Sequence, residues 1–119
     1  METSIRSEKG VVIVAINGQI DSTTAPMLEE ALKATVNKGN TRLILDLADV
    51  PYMSSAGLRV LSIICKNARD AEDKGDLRLA CLSKAVAHAF RISGFDQIFR
   101  IYDSVDVALA EFGKSASSG

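Results

Sequence analysis

Leu43, Ile44 and Leu45 are three consecutive apolar residues in "TRLILDL", and soon after them the pattern changes to one of helical spacing. A run that is apolar at successive positions suits a central strand buried on both faces, because neighbouring side chains leave the pleat on opposite sides. Such a strand needs a covering layer above and below it, which points to an α/β architecture. Beyond the seam "VPYMSSAG", Leu58, Leu61, Cys65 and Ala68 recur at helical spacing until the polar "RDAEDKGD" ends the pattern. Strand, seam and helix form the central unit, and the seam carries two serines and a glycine.

The rest of the chain extends this unit in both directions. "TSIRSEKGVVIVAING" reads as two extended segments around a turn at Lys9-Gly10, so a hairpin opens the fold. Asn17-Gly18 breaks the second strand. A first helix follows, with capping hydroxyls at Ser22 to Thr24, Pro26 early, a stripe of Leu28, Ala31, Leu32 and Val36, and Gly39 at its end. "LRLACL" suggests another strand, and "SKAVAHAFRISG" a helix with Ser83 as N-cap and Gly94 as its stop. "IFRIY" suggests a short strand, and Asp103 or Ser104 can cap a last helix carrying Val107, Leu109 and Ala110. The expected fold is an α/β domain over residues 1–113, with a mixed, largely parallel sheet of about five strands covered by about four helices. "KSASSG", residues 114–119, is expected to be a disordered tail.

Charge and cysteine usage exclude several classes of function. Fourteen Lys and Arg against fifteen Asp and Glu leave a net charge of −1, with no basic block to grip a phosphate backbone, so nucleic acid is not an expected partner. Cys65 and Cys81 lie in apolar surroundings without metal-ligand spacing, which reads as reduced, buried thiols. No run approaches the ~20 apolar residues of a membrane span, and no signal segment opens the chain, so a cytoplasmic protein without a membrane partner is expected. Neither a cofactor nor a metal site is expected.

At the seam, Ser54 and Ser55 fall at the carboxyl end of a strand, where α/β folds place their sites. One hydroxyl can accept a hydrogen bond from the first turn of the helix, as an N-cap does. The same geometry also tolerates a phosphate on serine, and Gly57 would let the backbone of another protein approach. A nucleophilic serine fits less well, because "SSAG" lacks the glycine two residues earlier that a strained elbow requires, and the single histidine, His88, lies in another helix off the apolar stripe. Asp46, at the end of "LILD", lacks the acidic partners that a phospho-acceptor aspartate needs, and reads instead as a loop cap or a solvent-facing residue. Enzymatic activity is not expected.

"LILDLADVPYMSSAGLRVL" resembles the signature of anti-sigma factor antagonists, the small STAS proteins of bacteria. The resemblance extends to "VVIVAINGQID", similar to that family's second strand and its Gly-x-x-Asp turn, and to "LACLSKAVAHAFRISGFDQIFRIYDSVDVAL". By position it implies phosphorylation at Ser55, with Ser54 as second choice because it stands where the family has aspartate. It also implies a role for Asp21 in phosphorylation or kinase docking. The implied contact surface comprises Asp21, Ser22, Thr23, Ser54, Ser55, Gly57, Leu58 and Arg59, and Arg59 could pair with a phosphate on Ser55 one turn away. The implied partners are an ATP-bound anti-sigma factor with serine kinase activity and a serine phosphatase of the PP2C type. Unphosphorylated, such a protein binds the anti-sigma factor and releases the sigma factor; phosphorylation abolishes the complex. The alternative is a constitutive STAS scaffold or sensor module of a signalling complex, with no phosphoswitch and with the serines only capping a helix.

Overall fold

Lys9 and Gly10 take left-handed backbone angles, with φ of 53° and 79°, and these join β1 (Glu2–Glu8) to β2 (Val11–Asn17) as an antiparallel hairpin. Two successive positive φ angles match the right-handed twist of the flanking strands, which explains the tight connection there. The computed structural model describes the backbone of residues 1–117 and the side chains of residues 1–114. After the hairpin come β3 (Arg42–Asp49), β4 (Asp76–Ala80) and β5 (Ile101–Tyr102), in the sheet order β1-β2-β3-β4-β5, with every pairing from β2 onwards parallel. The connections between parallel strands are helical: α1 (Ala25–Asn37), α2 (Ser55–Asp70) and α3 (Lys84–Ser93), and α4 (Val105–Ser117) closes the chain.

The pleat of the central strands sorts their side chains into two cores. Val12, Val14, Ile16, Leu43, Leu45, Leu47, Leu77 and Leu79 face one way and pack against Leu28 and Leu32 of α1, Leu61 and Ile64 of α2, and Val86 and Phe90 of α3. Val11, Ile13, Ile44 and Ala80 face the other way and are covered by Ala108 and Phe112 of α4. The consecutive apolar run of β3 is thus buried on both faces, as its composition requires.

A charged residue stands on the α4 face of β4. Arg78 is 4% exposed, with its guanidinium carbon 3.9 Å from the centre of the Phe112 ring and its Nε donating to Asp76 Oδ2 at 3.0 Å. Asp76 also accepts from Arg69 Nε at 2.7 Å and from the Leu77 amide at 2.9 Å. Arg69 in turn donates through Nη2 to the carbonyl of Ile98, so this cluster ties α2 to the loop before β5. A buried charge is tolerable here because opposite charge and hydrogen bonds surround it.

Several boundaries differ from the sequence expectation. "IFRIY" is strand only at Ile101–Tyr102; Phe95–Gln97 form a short 3-10 turn after Gly94, whose φ of 79° stops α3. β4 ends at Ala80 because Cys81 turns the chain with a φ of 64°. Cys81 is only half-buried, with Asp46 among the groups that raise its pKa after desolvation; Cys65 is buried, and burial pushes its thiol up to about 11. On α4, Val107 and Ala110 face solvent, while Ala108 and Phe112 are buried. Ser104 caps that helix, accepting from the Val107 amide at 3.1 Å. α4 continues to Ser117, so the tail expected from 114 is helical over 114–117; residues 118–119 lie outside the described residues.

Candidate functional site

Past the carboxyl ends of β2 and β3 the two outgoing loops remain stitched together. Gly18 N donates to Asp49 O at 3.0 Å, Ile20 N to Tyr52 O at 3.1 Å, and Ser54 N to Ile20 O at 2.8 Å. Ile20 and Met53 form a parallel bridge and are 0% and 3% exposed. These bonds set the foot of α1, with Asp21, Ser22 and Thr23, beside the foot of α2, with Ser54 and Ser55. Residues more than thirty positions apart in sequence therefore share one rim of the sheet.

Asp21 organises the first of these turns. Its Oδ1 accepts from Thr23 N at 2.9 Å and from Thr24 N at 3.0 Å, while the Asp21 amide donates to Thr24 Oγ1 at 2.9 Å. This reciprocal pattern satisfies amides that the helix start would otherwise leave free. The hydroxyls of Ser22 to Thr24 were expected to cap α1, but Thr24 at the N-cap makes no side-chain cap bond, and the carboxylate of Asp21 serves instead. The Thr24 amide first, and the Thr23 amide second, hold the Asp21 carboxyl below its ordinary pKa by favouring its charged form. Ser22 and Thr23 are exposed.

The second turn separates two adjacent serines that look equivalent in sequence. Ser54 is the N-cap residue of α2, with extended backbone at φ −83° and ψ 171°, yet its side chain makes no cap bond. Its Oγ is buried and has no hydrogen-bond partner among the described residues. The capping role weighed for these hydroxyls is therefore not realised at Ser54. Ser55, the first residue of α2, is exposed.

Gly57 and Leu58 do not belong to the outward surface expected from the sequence. A Cβ at Gly57 would stand 2.7 Å from Ile20 Cγ2 and 2.8 Å from Met53 Cγ, so the missing side chain admits the chain's own core and not another protein's backbone. Leu58 is 5% exposed and belongs to the larger core. Gly57, two residues beyond Ser55, lies on the far side of α2, whereas Leu58 is buried although it stands only three residues on. Arg59, one turn beyond Ser55, is exposed.

Between α1 and α2 lies an open cleft of about 270 Å³ lined by Ser22, Pro26, Glu29, Ser55, Ala56 and Arg59, with Ala25 and Val60 beneath. Glu29 is paired with Lys33 at 3.0 Å. The contributions of Pro26 and Glu29 were missed in sequence; their three-residue spacing along α1 was the available signal. His88 is exposed on α3 and does not line this cleft. Asp46 is half-buried inside β3 and accepts from the Ala48 amide of the same strand at 3.1 Å, so it caps no loop. Among the described residues no cluster of His, Cys, Asp and Glu is arranged to hold a metal, and no helix is long and apolar enough to cross a membrane.

An α/β domain with an opening hairpin, parallel strands and a serine at the foot of its second helix defines a class: the chain belongs to the STAS domain family, which it matches over residues 2–108. Among its relatives is BtrV of Bordetella bronchiseptica, provisionally named an anti-sigma factor antagonist, which is 38% identical over 112 residues, covering 94% of this chain and 95% of that one. An anti-sigma factor antagonist from Mycobacterium paratuberculosis has a solved structure that superposes with a TM-score of 0.82 at 29% identity, over 92% of each chain. The Bacillus cell fate determinant SpoIIAA in its phosphorylated form shares the fold, with a TM-score of 0.70 at 14% identity over 93% of this chain and 99% of that one.

Proposed function

We propose that this chain is an anti-sigma factor antagonist operating as a phosphorylation-switched binding module, with Ser55 as the acceptor. The observation that carries the reading is the contrast between neighbours: Ser55 is exposed at the start of α2, whereas the Ser54 hydroxyl is buried against the seam. Family membership and the names of its relatives support the partner class. The chain then acts as substrate and contact surface while the catalytic groups belong to others.

In the bound complex the partner kinase supplies ATP and Mg²⁺. Ser55 Oγ attacks the γ-phosphorus, the new O–P bond forms as the bond to the bridging oxygen of ADP breaks, and the hydroxyl proton passes to a base of the kinase. A PP2C-type phosphatase returns the serine by hydrolysis. The docking surface that fits these facts is Asp21, Ser22, Thr23, Ser55 and Arg59, flanked by the exposed side chains of Met27 and Tyr52, residue types suited to interface anchors. Phosphate places up to two negative charges at a contact shaped for a neutral hydroxyl, and each ~1.4 kcal/mol of that penalty is tenfold in affinity. ATP-dependent switching of this kind belongs in the cytoplasm.

The test is to co-purify the kinase from the native host, incubate it with this chain and ATP, and map phosphate by peptide mass spectrometry. One phosphate on Ser55, lost in Ser55→Ala, together with release of the kinase on phosphorylation, is the expected result. A bound partner with no phosphate on either serine would overturn the switch in favour of a constitutive scaffold.

A further inference from the structure

Arg59 is exposed on the same side of α2 as Ser55, four residues on, and both side chains line the cleft between α1 and α2. Residues at this spacing are neighbours on a helix surface, within reach of a guanidinium and a phosphate. Among the described residues the Arg59 side chain makes no hydrogen bond and no ion pair. Its nearest potential competitor in the cleft, Glu29 of α1, is already held by Lys33 at 3.0 Å. Asp21, also charged and on this rim, spends its carboxylate on the Thr23 and Thr24 amides. The cleft thus contains one uncommitted cation beside one exposed hydroxyl, with about 270 Å³ of open space between the helices.

We propose that a phosphate on Ser55 is received by Arg59 within the α1–α2 cleft, so that the modified chain carries its phosphate in an internal ion pair and not free in solvent. This rests on the reading of Ser55 as the modified residue. Arg59 is then a positioning residue: it contributes nothing to phosphoryl transfer and determines where the phosphate lies afterwards. The guanidinium presents paired donors to two phosphate oxygens, an arrangement that lysine, with its single ammonium, does not reproduce. Phosphorylation consequently removes two features from the docking surface together, the neutral hydroxyl and the free arginine.

The experiment installs phosphoserine at position 55 during synthesis of the full chain, so that its outcome does not depend on any kinase. The second ionisation of the phosphate is followed by phosphorus NMR as a function of pH. The midpoint should rise in Arg59→Ala by about 0.5 unit or more, a reduced share of the shift seen for buried opposite charges because this site is open. Arg59→Lys should recover only part of that difference, and Glu29→Gln should lower the midpoint by removing a like charge. Melting provides an independent readout: phosphoserine should raise the melting temperature of the parent chain relative to Ser55, by about 2–4 °C, and by less in Arg59→Ala. Both effects should shrink in ~1 M salt. An identical phosphate midpoint in the parent and in Arg59→Ala would overturn the pairing. A phosphate that is paired by these criteria yet leaves kinase binding intact would overturn the switch and leave the pairing standing, so the two failures are distinguishable.

Discussion

Replacing Gly57 by alanine should destabilise the protein, although alanine is the better helix former. Gly57 sits in the first turn of α2, and alanine would gain at most about 1 kcal/mol there from backbone entropy and helix propensity. Against this, the added methyl would stand 2.7 Å from Ile20 Cγ2 and 2.8 Å from Met53 Cγ, where carbon atoms settle at about 3.6 Å. Relief requires roughly 0.8–0.9 Å of movement between α2 and two side chains that are 0% and 3% exposed in a close-packed interior. Ile20 is β-branched and stiff, and its backbone is bonded to Tyr52 O and Ser54 N, so it cannot retreat alone. Overpacking of this kind costs about 2–3 kcal/mol, leaving a net loss of about 1–2 kcal/mol. With an unfolding entropy near 2.1 cal/mol/K per residue, the 119-residue chain loses about 4 °C per kcal/mol, so melting should fall by about 4–8 °C. Calorimetry with coincident circular dichroism would measure it. Unchanged or raised melting would refute the reasoning, since it would mean that α2 moves off the Ile20–Met53 bridge without cost.

Other substitutions probe the same features. Ser54→Ala should leave stability unchanged or raise it by up to about 1 kcal/mol in urea unfolding, because it removes a buried hydroxyl without a partner; a conventional N-cap would lose about 1 kcal/mol. Asp76→Ala should cost about 3–5 kcal/mol in the same assay, since it strips Arg78, which is 4% exposed, of a charged partner and releases Arg69. Acid unfolding should report Asp21. Its folded pKa lies below the ordinary 3.8, so its contribution is present above that value and is lost as pH falls through the lower folded value. Asp21→Asn should therefore lower stability at neutral pH and flatten the decline on the acid side; a parallel acid limb in both proteins would argue against the carboxylate as the cap of α1.

Local signals were legible where a residue's own backbone preference decides the outcome. Lys9-Gly10, Pro26, Ser83 and Gly94 each announced a turn, start or stop, and each stands there: Ser83 Oγ accepts from the Val86 amide at 3.2 Å, and Gly94 has a φ of 79°. Face selection was less legible. On α4, Val107 and Ala110 have as good a helical spacing as Ala108 and Phe112, and nothing local distinguishes them; the position of the helix over Val11, Ile13 and Ile44 buries the second pair and packs Leu109 against it. "IFRIY" has strand composition throughout, but only Ile101 and Tyr102 pair with β4, opposite Leu79 and Ala80.

At the site, the residues themselves determined that a strand would end in two serines, a glycine and a helix, and that an aspartate would open the helix before it. They also carried the STAS pattern, since a family signature is made of residue identities at fixed spacing. Only the tertiary structure decided that Ser54 hides its hydroxyl while Ser55 shows its own, that Gly57 serves Ile20 and Met53 and not a partner, and that Arg59 shares a cleft with Ser22 and Glu29. The reason is physical. Propensities and caps act over a few residues and are written in the local sequence. Burial and facing depend on hydrogen bonds such as Ser54 N to Ile20 O, which join positions far apart along the chain and exist only once the two loops meet.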